Sequence, residues 1–354
     1  MMKNTLVLKV NPYYPEKAKV QIAAQIIKKG GLVSFPTETV YGLGADALDS
    51  EAVLRLFKAK KRPLDNPPIV HIEKLDDLQK LVKQVSREAK LLINHFWPGP
   101  LTLVLERLKA VPAVTVAGLN TIAVRMPRHE VALALIRESG VPIAAPSANL
   151  AGKPSPTTAK HVLDDLNGRI DAVLDSGATC VGVESTVLDL SVSPPQVLRP
   201  GGVTFEDLRR VLGEVELHPF VVAEKDVAMG ESRSPGMKHK HYAPQAKLIL
   251  VEGSISAVVR RIREIADDYR RKGCRVGILA IDETASKYDT KVVKSLGSLF
   301  NMDAVAQNLF RLLREFDAEN VDVIVAEGVP AEGMGLAVMN RLRKASGYNI
   351  IKVV

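Results

Sequence analysis

Cysteine is nearly absent: 354 residues hold only Cys180 and Cys274, far apart and outside any CxxC. That pattern excludes a disulfide framework and a zinc-binding cysteine set, and leaves two small packed side chains as the reading. Aromatic residues make up only 5% of the chain and do not cluster with basic ones, which argues against a dedicated surface for stacking nucleobases. No apolar run approaches the roughly 20 residues a membrane-spanning helix needs. The start of the chain lacks the apolar stretch and cleavage site of a signal peptide, so a cytoplasmic location without membrane contact is expected. GxxxxGK[ST], GxSxG, SxxK and HExxH are missing as well, which removes the P-loop and the commonest hydrolase signatures.

What is present is a positive charge, placed unevenly. The net charge is +8, and residues 1–210 carry 27 Lys and Arg against 21 Asp and Glu. Such a first half suits an anionic ligand, either a nucleotide or an RNA. The segment from Val33 to His71 gives that ligand a place. A strand-like Val33-Ser34-Phe35-Pro36 runs into Thr37-Glu38-Thr39-Val40-Tyr41-Gly42-Leu43-Gly44. A short helical stretch follows and ends in Lys58-Ala59-Lys60-Lys61-Arg62-Pro63, before Asn66-Pro67-Pro68 and a strand with His71. Hydroxyls donate hydrogen bonds, glycines let backbone N–H groups approach, and Lys and Arg neutralise phosphate charge. Gly42-Leu43-Gly44-Ala45-Asp46-Ala47 fits GxGxxA only loosely, since the cap residues Asp49 and Ser50 come too late; a turn beside a site is the expectation.

The chain length favours two domains. Apolar β-branched runs and helical patterns alternate irregularly through residues 1–212, which predicts a mixed, twisted sheet. Thr204 with Asp207 predicts a capped helix start near the end of that unit. Residues 213–245 lose regular periodicity and read as a linker or functional loop. Residues 246–354 resume a regular strand–helix alternation, predicting a smaller, mostly parallel, Rossmann-like unit. His239 and His241 have no third ligand nearby and read as surface histidines.

Taken in order, several motifs resemble those of the two-domain threonylcarbamoyl-adenylate synthases of the YrdC-like family. They are Phe35–Leu43, Lys60-Lys61-Arg62, Trp97–Thr102, Ala123–Pro127, Ser147-Ala148-Asn149, Glu184-Ser185-Thr186 and Leu198–Gly201, and the likeness extends over essentially the whole chain. The resemblance implies an α/β fold: a twisted mixed-sheet YrdC-like domain followed by a smaller Rossmann-like α/β domain. It implies a nucleotidyltransferase in which L-threonine, bicarbonate and ATP give threonylcarbamoyl-AMP and pyrophosphate, the first step of threonylcarbamoyl-adenosine formation in tRNA. By the same resemblance Thr39, His71, Arg125, Ala145 and Ser185 line the threonine subsite. Arg62, Asn66, Thr121, Ser147, Asn149, Ser155, Arg199 and Tyr242 hold ATP, and Lys60 and Arg62 act on the phosphates. Residues 213–245 would form a lid over the site. Mg2+ is expected with ATP, with no protein ligand named, and a downstream tRNA-modifying transferase is the expected transient partner. Two rival readings share the basic surface: an RNA-binding module, to which weak RNA affinity would belong, and an ATP-using carbamoyl transferase with another acceptor.

Overall fold

The computed structural model describes residues 4–225 and 242–354. Two sheets organise it. The first has 11 strands. Across the sheet they run Leu6–Lys9, Ala172–Asp175, Val33–Phe35, Gly42–Asp46, Ile143–Ala145, Ile69–His71, Thr121–Arg125, Leu101–Glu106, Thr186–Asp189, Gln196–Arg199 and Glu216–Leu217. Parallel and antiparallel neighbours alternate irregularly along it, so the sheet is mixed. The second sheet has 5 strands, all parallel, ordered Val292–Ser295, Val276–Ala280, Val323–Glu327, Lys247–Gly253 and Ile350–Val353. Helices Ile255–Arg271, Met302–Ala318 and Met334–Ala345 cross between its strands, as parallel pairing requires.

Local chemistry sets the elements that frame the site. Asp49 caps the helix Ser50–Lys60 by accepting from the N–H groups of Glu51 and Ala52, and Lys61 ends it in a left-handed turn. After that turn Arg62 donates to Asn66 and to the Pro67 carbonyl, just ahead of the strand Ile69–His71. Thr204 and Asp207 form the expected capping box at the start of Phe205–Leu212. The strand Gly42–Asp46 corrects the turn expected there. It runs antiparallel to both Val33–Phe35 and Ile143–Ala145. Its glycines serve close packing: a Cβ on Gly44 would lie 2.7 Å from Ile143 Cγ2 and 2.9 Å from Phe35 Cε1. Cys180 also departs from expectation, being exposed rather than packed.

The two units share a core. Val40, Val183 and Tyr242 are buried in one cluster with Leu309, Phe310, Leu313 and Val338. Polar contacts reinforce it: Arg314 donates to Asp165 at 2.9 Å and to the Pro154 carbonyl at 2.6 Å. Gly182, at φ 80°, lies where a Cβ would come within 2.3 Å of Gln307 Cα. Among the described residues no helix is long and apolar enough to cross a membrane. Most of the expected lid, residues 226–241 with Ser234–His241 and both His239 and His241, lies outside the described residues.

Candidate active site

A cavity of about 340 Å³ opens in the first unit where Ile69–His71, Thr121–Arg125 and Ile143–Ala145 meet the Thr37–Val40 loop. Five Lys or Arg side chains line it, Lys60, Lys61, Arg62, Arg125 and Arg199, against one carboxylate, Glu184. The balance suits an anion, as composition suggests.

One end of the cavity is built around Arg125. Its register partner on the neighbouring strand is His71, so the two side chains leave the sheet side by side. Arg125 pairs with Glu38 at 2.6 Å, donates from Nη1 to Thr39 Oγ1 at 2.9 Å and from Nε to the Gly99 carbonyl at 3.1 Å. Thr39 is steadied in turn by Thr37, whose hydroxyl also donates to the Val40 carbonyl. Burial, and then the Arg125 charge, lowers His71 to about 3, so its ring is neutral at physiological pH. Its Nδ1 is buried and makes no hydrogen bond of good geometry among the described residues. Such an atom is costly to leave alone and is ready to meet a ligand's polar group. Ser185 completes this end: its hydroxyl lies 2.8 Å from Thr102 Oγ1 and accepts from Arg199 Nη2 at 3.2 Å.

The other end follows the basic turn. Arg62 donates from Nε to the Asn66 carbonyl at 2.8 Å and from Nη2 to Asn66 Oδ1 at 2.6 Å. Two donors on one residue hold the guanidinium plane and leave an edge for phosphate. Ser147 Oγ donates to Asn149 Oδ1 at 2.6 Å, and the Asn149 amide donates to the Leu150 and Lys153 carbonyls. Lys60 is buried and donates its Nζ to the carbonyls of Ser147 and Asn149. Burial, then the Arg62 charge, pushes its ammonium well below the usual lysine range. Here it braces the Ser147–Asn149 loop. Tyr242 lines the same end, with its ring 5.2 Å from Phe310 of the second unit.

Of the residues singled out by sequence, Thr39, Lys60, Arg62, Asn66, His71, Arg125, Ala145, Ser147, Asn149, Ser185, Arg199 and Tyr242 all line this one cavity. Thr121 and Ser155 do not. Thr121 starts the strand that ends in Arg125, pairing with Glu106 at the far edge. Ser155 donates to Glu184 at 2.6 Å and so reaches the cavity only through that carboxylate. Sequence reasoning passed over Glu184 and Lys61 as site residues, though both stand inside the quoted motifs. Among the described residues no three His, Cys, Asp or Glu side chains converge to hold a metal ion.

Fold and cavity define a YrdC-like α/β protein with a second, Rossmann-like unit. The chain belongs to the Sua5/YciO/YrdC family: residues 25–201 match that family, described as telomere recombination, and residues 203–347 match the family described as threonylcarbamoyl-AMP synthase, C-terminal domain. A threonylcarbamoyl-AMP synthase of Pyrococcus abyssi is 52% identical over 338 residues, covering 96% of this chain and 97% of that protein. One from Bacillus subtilis is 47% identical over 331 residues, 93% of each chain. The crystal structure of P. abyssi Sua5 complexed with L-threonine superposes with a TM-score of 0.94 at 50% identity, over 99% of this chain and 100% of that one.

Proposed function

We propose that the chain is a nucleotidyltransferase, an L-threonylcarbamoyladenylate synthase that joins L-threonine, bicarbonate and ATP and releases pyrophosphate. The observation that carries this reading is one cavity with two unlike ends. A buried His71–Arg125 pair suits a small hydroxy amino acid, and an Arg62–Asn66 and Ser147–Asn149 rim suits a nucleotide. The relative complexed with L-threonine supports it.

Chemistry then follows from position. The guanidinium of Arg125 offers the threonine carboxylate a charged donor, and the neutral, buried ring of His71 beside it is the partner for its hydroxyl. Threonine's amine and bicarbonate form a carbamate and release water. A carbamate oxygen bonds to the α-phosphorus while the bond to pyrophosphate breaks. No side chain need attack; the cavity aligns the reacting groups and neutralises the charge gathered on phosphate. Arg62 and Lys61 face that charge, with Lys60 holding the loop below them. Mg2+ belongs to this reading as part of the MgATP substrate, its shell filled by phosphate oxygens and water. A cytoplasmic setting, transfer of the product to a downstream tRNA-modifying transferase and weak affinity for RNA belong to the same reading.

Pyrophosphate release measured with each substrate omitted in turn tests it. Release should need threonine and bicarbonate together, and alanine should be a poor substitute, because a site that pairs a hydroxyl is left unsatisfied without it. Equal release with threonine, serine, alanine or no amino acid would end the reading.

A further inference from the structure

Among the contacts of the second unit with the cavity wall, Arg341 makes an ion pair with Glu184. Arg341, on the helix Met334–Ala345, has no exposed surface and is the largest fully buried side chain among the described residues. It leaves its own unit. Nε donates to Glu184 Oε2 at 3.0 Å and Nη1 to the Pro200 carbonyl at 2.7 Å. Its guanidinium lies over the Tyr242 ring, 5.8 Å from the centroid. Both residues it meets, Glu184 and Tyr242, line the cavity, and the other oxygen of Glu184 accepts from Ser155 at 2.6 Å. Pro200 follows Arg199, whose Nε donates to the Ser185 carbonyl at 3.0 Å. One guanidinium therefore touches Glu184, Tyr242 and the carbonyl that follows Arg199, three points along the cavity wall.

Adhesion alone does not account for this arrangement. Removing two charges from water costs more than a pair of good geometry usually returns, and an apolar pair would hold two units together as well. A buried guanidinium fork does supply fixed direction. Burial works against the charge on Glu184, but Arg341 and then Arg199 overcome it and hold the carboxyl at about 2. The groups facing Glu184 are Arg341 and Lys344 from one helix, Arg199 from the strand beside it, and Ser155 and Tyr242.

We infer that Arg341 is a positioning residue for the nucleotide subsite: by fixing Glu184, the Pro200 carbonyl and the Tyr242 ring, it makes the second unit a structural part of the active site. This rests on the proposed synthase activity for its substrates, and goes beyond it in giving the second unit a role. Arg341 itself does not line the cavity. It acts through Glu184.

The test uses the full chain with Arg341→Met, Arg341→Lys, Glu184→Gln and the double Arg341→Met/Glu184→Gln variant. ATP and threonine binding are measured by calorimetry, and both KM values by pyrophosphate release, from pH 5 to 8. Arg341→Met should weaken ATP binding tenfold or more and leave threonine within twofold. Without Arg341, burial raises the Glu184 carboxyl from about 2, so ATP binding should acquire a pH inflection relative to wild type, weaker where the carboxylate is charged. Wild type should lack that inflection, and the double variant should lose it. Arg341→Lys keeps the charge without the fork and should fall between. The double variant, which removes both members of the ion pair, serves if Arg341→Met does not fold. An ATP affinity within twofold of wild type in the folded variants, or equal losses for both ligands without an inflection, would overturn the inference. Should wild type release no pyrophosphate with threonine and bicarbonate, the synthase reading fails, and the ATP calorimetry still decides the case of Arg341.

Discussion

Arg125 and Glu38 form an ion pair inside the protein, Nη2 to Oε2 at 2.6 Å, with both side chains almost wholly buried. Glu38 also accepts from the Arg128 backbone N–H at 3.1 Å. The pair holds the guanidinium beside His71, at the end of the cavity proposed for threonine, before any ligand arrives. Binding a carboxylate there is a matter of adding a second acceptor to an oriented fork, and only arginine has that fork.

Arg125→Lys should therefore weaken threonine binding by roughly 1.5–3 kcal/mol, the range for a hydrogen bond to a charged group, while ATP binding changes little. Calorimetry with each ligand separately checks it. Equal losses for both would mean that Arg125 does not belong to one end of the cavity.

Arg62→Ala should weaken ATP binding by a similar amount, on the order of 1.5–3 kcal/mol, with threonine affinity kept. Lys58→Ala is the comparison. Lys58 sits on the last turn of Ser50–Lys60, exposed and off the cavity, where a cation serves only the helix end. Matching ATP affinities in the two variants would show that the basic run is a solvated helix terminus throughout.

His71 gives a pH signature. Its folded value of about 3 lies below the ordinary 6.5, so between those values the unfolded chain binds a proton that the folded chain refuses. Stability is then fully kept above 6.5 and lost as pH falls toward 3. His71→Gln removes one such group and should flatten the slope of unfolding free energy in that window by up to about 1.4 kcal/mol per pH unit. His161, lowered to about 4 mainly by burial, remains in both proteins and cancels in the comparison. Identical slopes in urea titrations from pH 4 to 6 would show that His71 is charged or accessible.

Gly182 and Gly118 separate contact from conformation. Both have φ near 80°, but a Cβ on Gly182 meets the Gln307 backbone at 2.3 Å, whereas one on Gly118 meets nothing within 4 Å. Gly118→Ala should cost about 1 kcal/mol from backbone strain alone. Gly182→Ala adds a clash between the units and should cost about 1–3 kcal/mol more. Similar melting curves for the two variants would mean that the units are not packed tightly at this point.

Much of this could be read from the chain because short-range chemistry decided it. Asp49 and Thr204 cap the helices they precede, and the last 109 residues alternate strands and helices as a parallel sheet demands. The hydroxyl and basic motifs of the first unit converge because they sit at strand ends and adjoining loops, where α/β folds gather ligand groups. Other features depend on tertiary contacts that leave no local trace. Gly42–Asp46 has neither β-branched residues nor alternation, and is a strand because it pairs with Val33–Phe35 and Ile143–Ala145, so closely that no Cβ fits at Gly44. Arg341 lies 157 residues from Glu184, and nothing in its helix marks it apart from the neighbouring Arg343, which instead pairs with Glu252. Thr121 lies at the far end of its strand for a plain reason: four residues of extended chain separate it from Arg125, about 13 Å at 3.3 Å per residue.

The most direct test of the account follows one carbon atom. The protein is incubated with ATP, Mg2+, L-threonine and 13C-labelled bicarbonate, and the nucleotide products are weighed by mass spectrometry. The account predicts threonylcarbamoyl-AMP heavier by one mass unit than the product made from unlabelled bicarbonate, with pyrophosphate formed in equal amount. ATP consumed to AMP or ADP with no labelled carbon in any nucleotide would contradict it.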